Sequence, residues 1–348
     1  MNRGAVKRIA LIVLAIIVMS AFANLVGWGI RAWFEDLWET ITTISAGHLV
    51  GAIVLMTLQT TATAYAWYTI LRFAYPHEVR FRIVFASYSV CVALNNILPA
   101  NLGTIVMFVM LTTLIASATF GGIVTGFLVE KIFFTVAAIF VYLYLFLSVP
   151  GSFDISFSWI KENPWATAVL VVGIAGGLAY LIRAYWPKVL SFWERAKAGG
   201  QVLLHPGTYF GRVFLPEFVS WASGLGITAI FMDAYGIPVT FHTIMSVTGS
   251  NSIANTVAVT PGGAGVQQVF NVAALSDVTD SQTATAFSVS QQLVSTAWHI
   301  AMAVVLVIWV FGWVGGKTLV AESYAEAKRR AEEQKAAREA GRAAEDPV

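Results

Sequence analysis

Charge is scarce in this chain. Of 348 residues, 21 are Lys or Arg and 19 are Asp or Glu, 11% in all, against about a quarter in soluble domains. That scarcity excludes a water-soluble globule, and 57% hydrophobic residues with a mean hydropathy of +0.73 indicate a helical integral membrane protein. The single cysteine, Cys91, excludes an internal disulfide and reads as inert filler among apolar neighbours. The histidines His48, His77, His205, His242 and His299 lack metal-ligand spacing, and no acid pair or nucleophile motif accompanies them. Gly262-Gly263-Ala264-Gly265 lacks the Lys and the strand context of a nucleotide loop. No metal, cofactor, enzymatic activity or nucleic-acid partner is therefore expected. A cleavable signal is also missing: the apolar run after Arg3, Lys7 and Arg8 continues to about Gly27 without a small-residue cleavage site, so it reads as a retained first helix.

Apolar runs long enough to cross about 30 Å of hydrocarbon fall near 9–28, 44–71, 121–148, 165–184, 212–234 and 282–314. Basic residues gather on alternate sides. Arg3, Lys7 and Arg8, then Arg72, Arg80 and Arg82, then Arg183, Lys188, Arg195, Lys197 and Arg212 share one side with the tail. The intervening loops carry only Arg31 and Lys161 beside several acids, which predicts an inner-membrane protein with both termini cytoplasmic. The aromatic and basic stretch 185–210 reads as a helix lying on the cytoplasmic surface. Domain 1–316 is the membrane region. From Lys317 the tail, 317–348, balances seven basic against seven acidic residues with no apolar stripe, and reads as solvated.

Two further segments, 83–118 and 242–275, are each interrupted in the middle. The first carries Asn95-Asn96, Pro99, Asn101 and Gly103; the second carries Asn251, Asn255, Pro261, Gly262, Gly263, Gly265, Gln267 and Gln268. Pro removes a backbone donor and Gly relaxes the backbone, so a helix should break at both places. Free backbone groups at membrane depth are tolerated only inside protein or beside a watery cavity. The half-helices are too short to cross comfortably, about 22 Å for 83–97, and predict two re-entrant hairpins. Helix, hairpin, helix then recurs upside down, at 44–148 and again at 212–314. The expected fold is all-α and polytopic, an inverted-topology repeat whose hairpin tips meet near the midplane.

Within the spans Glu130 and Lys131 stand out, about ten residues into a helix and so near the midplane. An ionised residue there costs about 2.5–3.5 kcal/mol and marks a functional site by default. As helical neighbours they point in different directions, so each is expected to face a polar partner elsewhere, such as the Asn and Gln of the hairpin tips. A structural role through a buried hydrogen bond is the alternative. Ser288, Gln291, Gln292, Ser295 and His299 share one helix face, as do His242, Ser246, Gly249, Ser250 and Asn255. Such stripes line a watery path or glue helices together, and the pattern leaves both open. An anion at a half-helix N-terminus stays open too.

At Leu98-Pro99-Ala100-Asn101-Leu102-Gly103, Glu130-Lys131 and Thr260-Pro261-Gly262-Gly263-Ala264-Gly265-Val266 the chain resembles the membrane flippase domain of lysylphosphatidylglycerol synthase/flippase proteins, over most of 40–314. The resemblance implies two re-entrant hairpins and translocation of a polar-headed membrane lipid, often by a homodimer. With the polar residues of the breaks and of the stripes, the candidate substrate-binding set is Asn95, Asn96, Pro99, Asn101, Gly103, Glu130, Lys131, Asn251, Asn255, Pro261, Gly262, Gly263, Gly265, Gln267, Gln268 and Gln292. The family has charged residues where this chain has Thr104, Met107, Gln268 and Gln292, so a neutral or sugar-bearing headgroup is expected instead of lysylphosphatidylglycerol. The synthase part is not expected here. Two rival functions remain: a proton-coupled transporter of a small solute, and a scaffold for a lipid-modifying enzyme.

Overall fold

The computed structural model describes residues 43–98, 101–148, 200–257 and 265–345, together with Glu35, Glu39 and Gly263. The expected crossings 9–28 and 165–184, and most of the surface helix 185–210, lie outside these residues. The described elements are α1 (Ala46–Ala74), α2 (Phe81–Ile97), α3 (Leu102–Leu114), α4 (Phe120–Ser148), α5 (Pro206–Ala234), α6 (Phe241–Val257), α7 (Val266–Leu275) and α8 (Ser281–Glu345). Helices α1, α4, α5 and α8 are long and apolar enough to cross a membrane. The protein is an all-α, multi-pass membrane protein.

Helices α1, α4, α6 and α8 begin where the sequence supplies an oxygen for orphan N–H groups. Ser45 accepts from His48 N–H at 3.4 Å, Thr119 from Gly122 N–H at 3.1 Å, and Thr240 from Thr243 N–H at 3.1 Å. Asp280 accepts from the N–H groups of Gln282 and Thr283, both at 2.9 Å. The Thr283 backbone donor, with its hydroxyl, holds this exposed carboxyl below the usual carboxylate range.

One end of the bundle gathers the end of α1 and the starts of α4 and α5. Gly122 packs on the Tyr75 ring, and the Phe73 and His205 rings lie 5.5 Å apart. The base of the α2–α3 pair is stapled nearby, where the Glu78 carboxylate accepts from the Ser117 hydroxyl at 2.8 Å and its N–H at 3.0 Å. At the other end His48 meets Asp233 at 2.9 Å, and the Tyr144 and Phe241 rings lie 4.8 Å apart. There the base of the α6–α7 pair joins Ile44, Ile237, Leu275 and Ala284 in one buried cluster.

Two boundaries differ from expectation. The helix expected near 212–234 starts at Pro206, six residues earlier, through a π segment at Phe210–Phe214. Pro at the first helical position needs no donor, so a residue that reads as a breaker here begins the helix. The second concerns the stretch beyond Lys317. It continues α8 past a turn at Gly312 (φ 70°), and Leu319, Val320 and Ala327 pack with Val90, Ala93, Val106 and Met110. The Arg330 guanidinium lies 4.6 Å over the Phe120 ring. One face of the first part of that stretch thus packs on the α2–α3 pair, while Glu322, Tyr324, Lys328 and Arg329 on the other faces are exposed. Val320, Ser323 and Ala327 form a narrow stripe of small side chains, which dense charge on the other faces hides from a hydropathy count.

Candidate functional site

At the expected breaks α2 ends at Ile97 and α3 begins at Leu102, and α6 ends at Val257 and α7 begins at Val266. Pro99, Pro261 and Gly262 lie outside the described residues, as does the side chain of Asn255. At the first break Asn101 adopts the left-handed conformation (φ 54°) and is exposed. Asn95 reaches across: its Oδ1 accepts the Thr104 N–H at 3.2 Å and its Nδ2 donates to Thr104 Oγ1 at 3.1 Å. It therefore caps α3 from the neighbouring helix. Gly103 permits that approach, since a Cβ there would meet the Cys91 carbonyl and the Asn95 backbone. Gly103→Val should cost about 1–3 kcal/mol through overpacking and separate α2 from α3, read as a lower melting temperature of the purified protein. Of this set, Asn95 and Gly103 thus build the break.

The second break is closed in the same way. Gln268 Oε1 accepts the Gly265 N–H at 2.6 Å, Gln267 Nε2 donates to Asn251 Oδ1 at 2.9 Å, and Gly263 and Gly265 hold φ of 71° and 82°. Gln268 Nε2 also donates to Gln292 Oε1 on α8 at 2.7 Å. Further along α8, His299 Nδ1 meets Asn96 Nδ2 at 3.0 Å. Asn96 and Gln268 thus touch one helix at points seven residues apart, about 10 Å along its axis. Part of the polar stripes bonds across helices, at Ser250, Ser288, Gln291, Gln292 and His299. Asn271 accepts from Ser250 at 2.6 Å and donates to Ser288 at 2.9 Å, and Gln291 reaches Thr228 at 3.4 Å.

The expectation that Glu130 and Lys131 face separate partners is not met. Lys131 Nζ lies 3.1 and 3.3 Å from the two Glu130 oxygens. The lysine stem is long and flexible enough to fold back over its own helix, where Nζ sits 4.9 and 4.8 Å over the Phe127 and Phe134 rings. Glu130 is only 2% exposed, whereas the Lys131 side chain is 44% exposed. Beside Lys131, Leu128 and Ile132 are exposed, and the outward stripe continues through Val136, Ile139, Leu143 and Phe146. The ammonium therefore emerges next to the apolar outer face of α4.

A family model described as Lysylphosphatidylglycerol synthase TM region matches residues 9–303. The chain belongs to that family. A comparison with curated proteins finds no match. The matched synthase TM region holds both breaks, the Glu130–Lys131 pair and α8 as far as His299, and ends before the Gly312 turn.

Within that region one functional candidate escapes sequence reasoning. Glu217 is fully buried in α5; its Oε2 accepts from Thr63 Oγ1 at 3.0 Å, and its Oε1 has no hydrogen-bond partner. The same Thr63 hydroxyl lies 2.8 Å from Ser220 Oγ. With a crossing expected from 212, Glu217 reads as a headgroup-level residue. With α5 beginning at Pro206, it lies eleven residues inside.

Proposed function

We propose that this protein is a non-catalytic translocase for a polar-headed lipid, and that the headgroup passes the hairpin breaks while the chains stay in the bilayer. The observation that carries this reading is lateral access to Lys131. A charge half exposed beside an apolar, lipid-facing stripe can be reached by a headgroup entering sideways, whereas a soluble solute needs a closed polar cavity. Lys131 offers an ammonium to a lipid phosphate, so the proposed headgroup carries a phosphate in place of the neutral one expected from the amide residues, and Glu130 behind it holds that ammonium in place. A groove of about 210 Å³ between α2 and α8, lined by Val90, Leu94, Ile300, Val304 and Trp313, offers room for part of an acyl chain.

The Gln268–Gln292 and Asn96–His299 bridges close the path between the two breaks, and passage of a headgroup exchanges each for a bond to the headgroup. Neutral amides suit that exchange because neither partner is left as a buried charge. The two hairpin bases, at opposite ends of the bundle, support the re-entrant, inverted-repeat reading, and the distribution of Lys and Arg supports a cell membrane location with both termini cytoplasmic. Purified protein in vesicles containing a fluorescent phosphatidylglycerol tests the function. Faster loss of leaflet asymmetry than in protein-free vesicles is expected, and equal rates overturn it. Topology has its own test, with Cys91 replaced by Ser. Single cysteines at Pro76 and Ala118 should both label from the cytoplasmic side, and those at Thr240 and Ser276 from the other. A pair divided between faces rules out the re-entrant arrangement.

A further inference from the structure

We propose that Glu130 and Glu217 share one proton opposite the Lys131 ammonium, and that docking of a phosphate-bearing lipid on Lys131 draws a second proton onto the pair. The inference rests on the translocase reading and deepens it by naming a co-substrate, the proton.

The geometry puts three helices at one depth. Thr63 lies eleven residues before the end of α1, Glu130 ten after the start of α4, and Glu217 eleven after the start of α5. Those three termini share one end of the bundle, so each residue sits about 15–17 Å inside it. The groups around the two carboxylates are Thr63 from α1, Tyr88 and Cys91 from α2, Lys131 from α4, and Tyr209 and Ser220 from α5. The Tyr209 hydroxyl donates to the Val129 carbonyl at 3.4 Å, and Val129, Tyr209 and Val213 share one buried cluster, so α5 packs on α4 at the residue before Glu130; Lys131 is the one cation acting on both carboxylates among the described residues.

Charge balance then sets the stoichiometry. At hydrocarbon depth an uncompensated charge costs several kcal/mol, so two buried carboxylates against one ammonium require one proton. Glu217 Oε1 is a buried oxygen with no donor directed at it, which leaves a place for that proton. The Thr63 hydroxyl carries a single hydrogen and serves either Glu217 or Ser220 at a time, so it supplies no second donor. A phosphodiester on Lys131 adds one negative charge. Neutrality is restored when the second carboxylate takes a proton from hydronium in the bulk water: one O–H bond forms at the carboxylate, one breaks in hydronium, and none changes in the lipid. The proton returns to water when the headgroup leaves. A cationic headgroup would reverse the sign and release the first proton.

The test uses the purified full-length protein in weakly buffered detergent with a pH-sensitive dye. Titration with dioctanoyl phosphatidylglycerol should take up about one proton per lipid bound. By linkage its Kd should weaken about 10-fold per pH unit once the second carboxylate ionises in the free protein. Dioctanoylglycerol, with the same chains and no phosphate, should bind without uptake. The double variant Glu130→Gln/Glu217→Gln should bind phosphatidylglycerol with neither uptake nor pH dependence. Binding without uptake by the wild type, proton release, or undiminished uptake in the double variant overturns the proposal. The two-lipid comparison on wild type decides it even where the variant does not fold. Uptake on binding without translocation in vesicles leaves the proton site standing and overturns the translocase instead, and no binding of either lipid overturns both.

Discussion

Lys131→Met is expected to slow lipid translocation at least 10-fold, about 1.4 kcal/mol on the barrier, and to reduce the yield of folded protein more than Glu130→Gln does. Met keeps an apolar stem of similar length, but it loses the ammonium that lies over Phe127 and Phe134. What disappears is the ammonium 3.1 Å from a carboxylate that is only 2% exposed. Leaving a buried carboxylate without its cation costs more than the intact pair contributes. Glu130→Gln removes the expensive charge and leaves an ammonium that is half exposed, so that variant should fold and fail mainly in transport. In Glu130→Gln/Lys131→Met both charges go together, and the loss of yield should be smaller than the sum of the two single effects. The measurements are translocation in reconstituted vesicles and monodispersity of the same preparations. Wild-type rates in both single variants would move the site from α4 to the neutral bridges around Gln268 and Asn96.

Four long helices and both breaks are legible in the sequence because hydrocarbon imposes length and because Pro and Gly are poor inside helices. The use made of the break residues is less legible. Asn95 and Gln268 read as ligands, yet each bonds a backbone N–H at its break, and sequence spacing does not say whether an amide will face a headgroup or a helix end. Gln292 and Ser288 read equally as path or glue; only the position of α7 beside α8 shows that they are bonded across helices. Glu217 was hidden by a boundary. Pro206 and Gly207 read as the end of the surface stretch 185–210, and moving the start of the crossing from 212 to 206 moves a carboxylate from the membrane surface to its middle. The Glu130–Lys131 contact was missed because neighbouring positions diverge on a helix, a rule for Cβ directions that a long lysine escapes.

Gly263→Val should abolish translocation. Gly263 is buried and holds φ 71°, a conformation that a β-branched residue adopts only at a cost of about 1–3 kcal/mol or more. The strain would fall on the segment that carries the Gly265 N–H to Gln268, and through Gln268 to Gln292 on α8. A shift of the turn would therefore break a backbone cap and an interhelical bridge together. Two neighbours separate strain from crowding. Gly265 also has a positive φ, 82°, but open space where a Cβ would sit, so Gly265→Ala should cost only the backbone term, about 1 kcal/mol. Gly263→Ala should fall between that variant and Gly263→Val, whereas Ala264→Gly should be tolerated. Translocation rates across this series, each referred to the folded fraction of its own preparation, should decline in the order Gly265→Ala, Gly263→Ala, Gly263→Val. A Gly263→Val protein that moves lipid at the wild-type rate would show that the shape of this turn is not what transport requires.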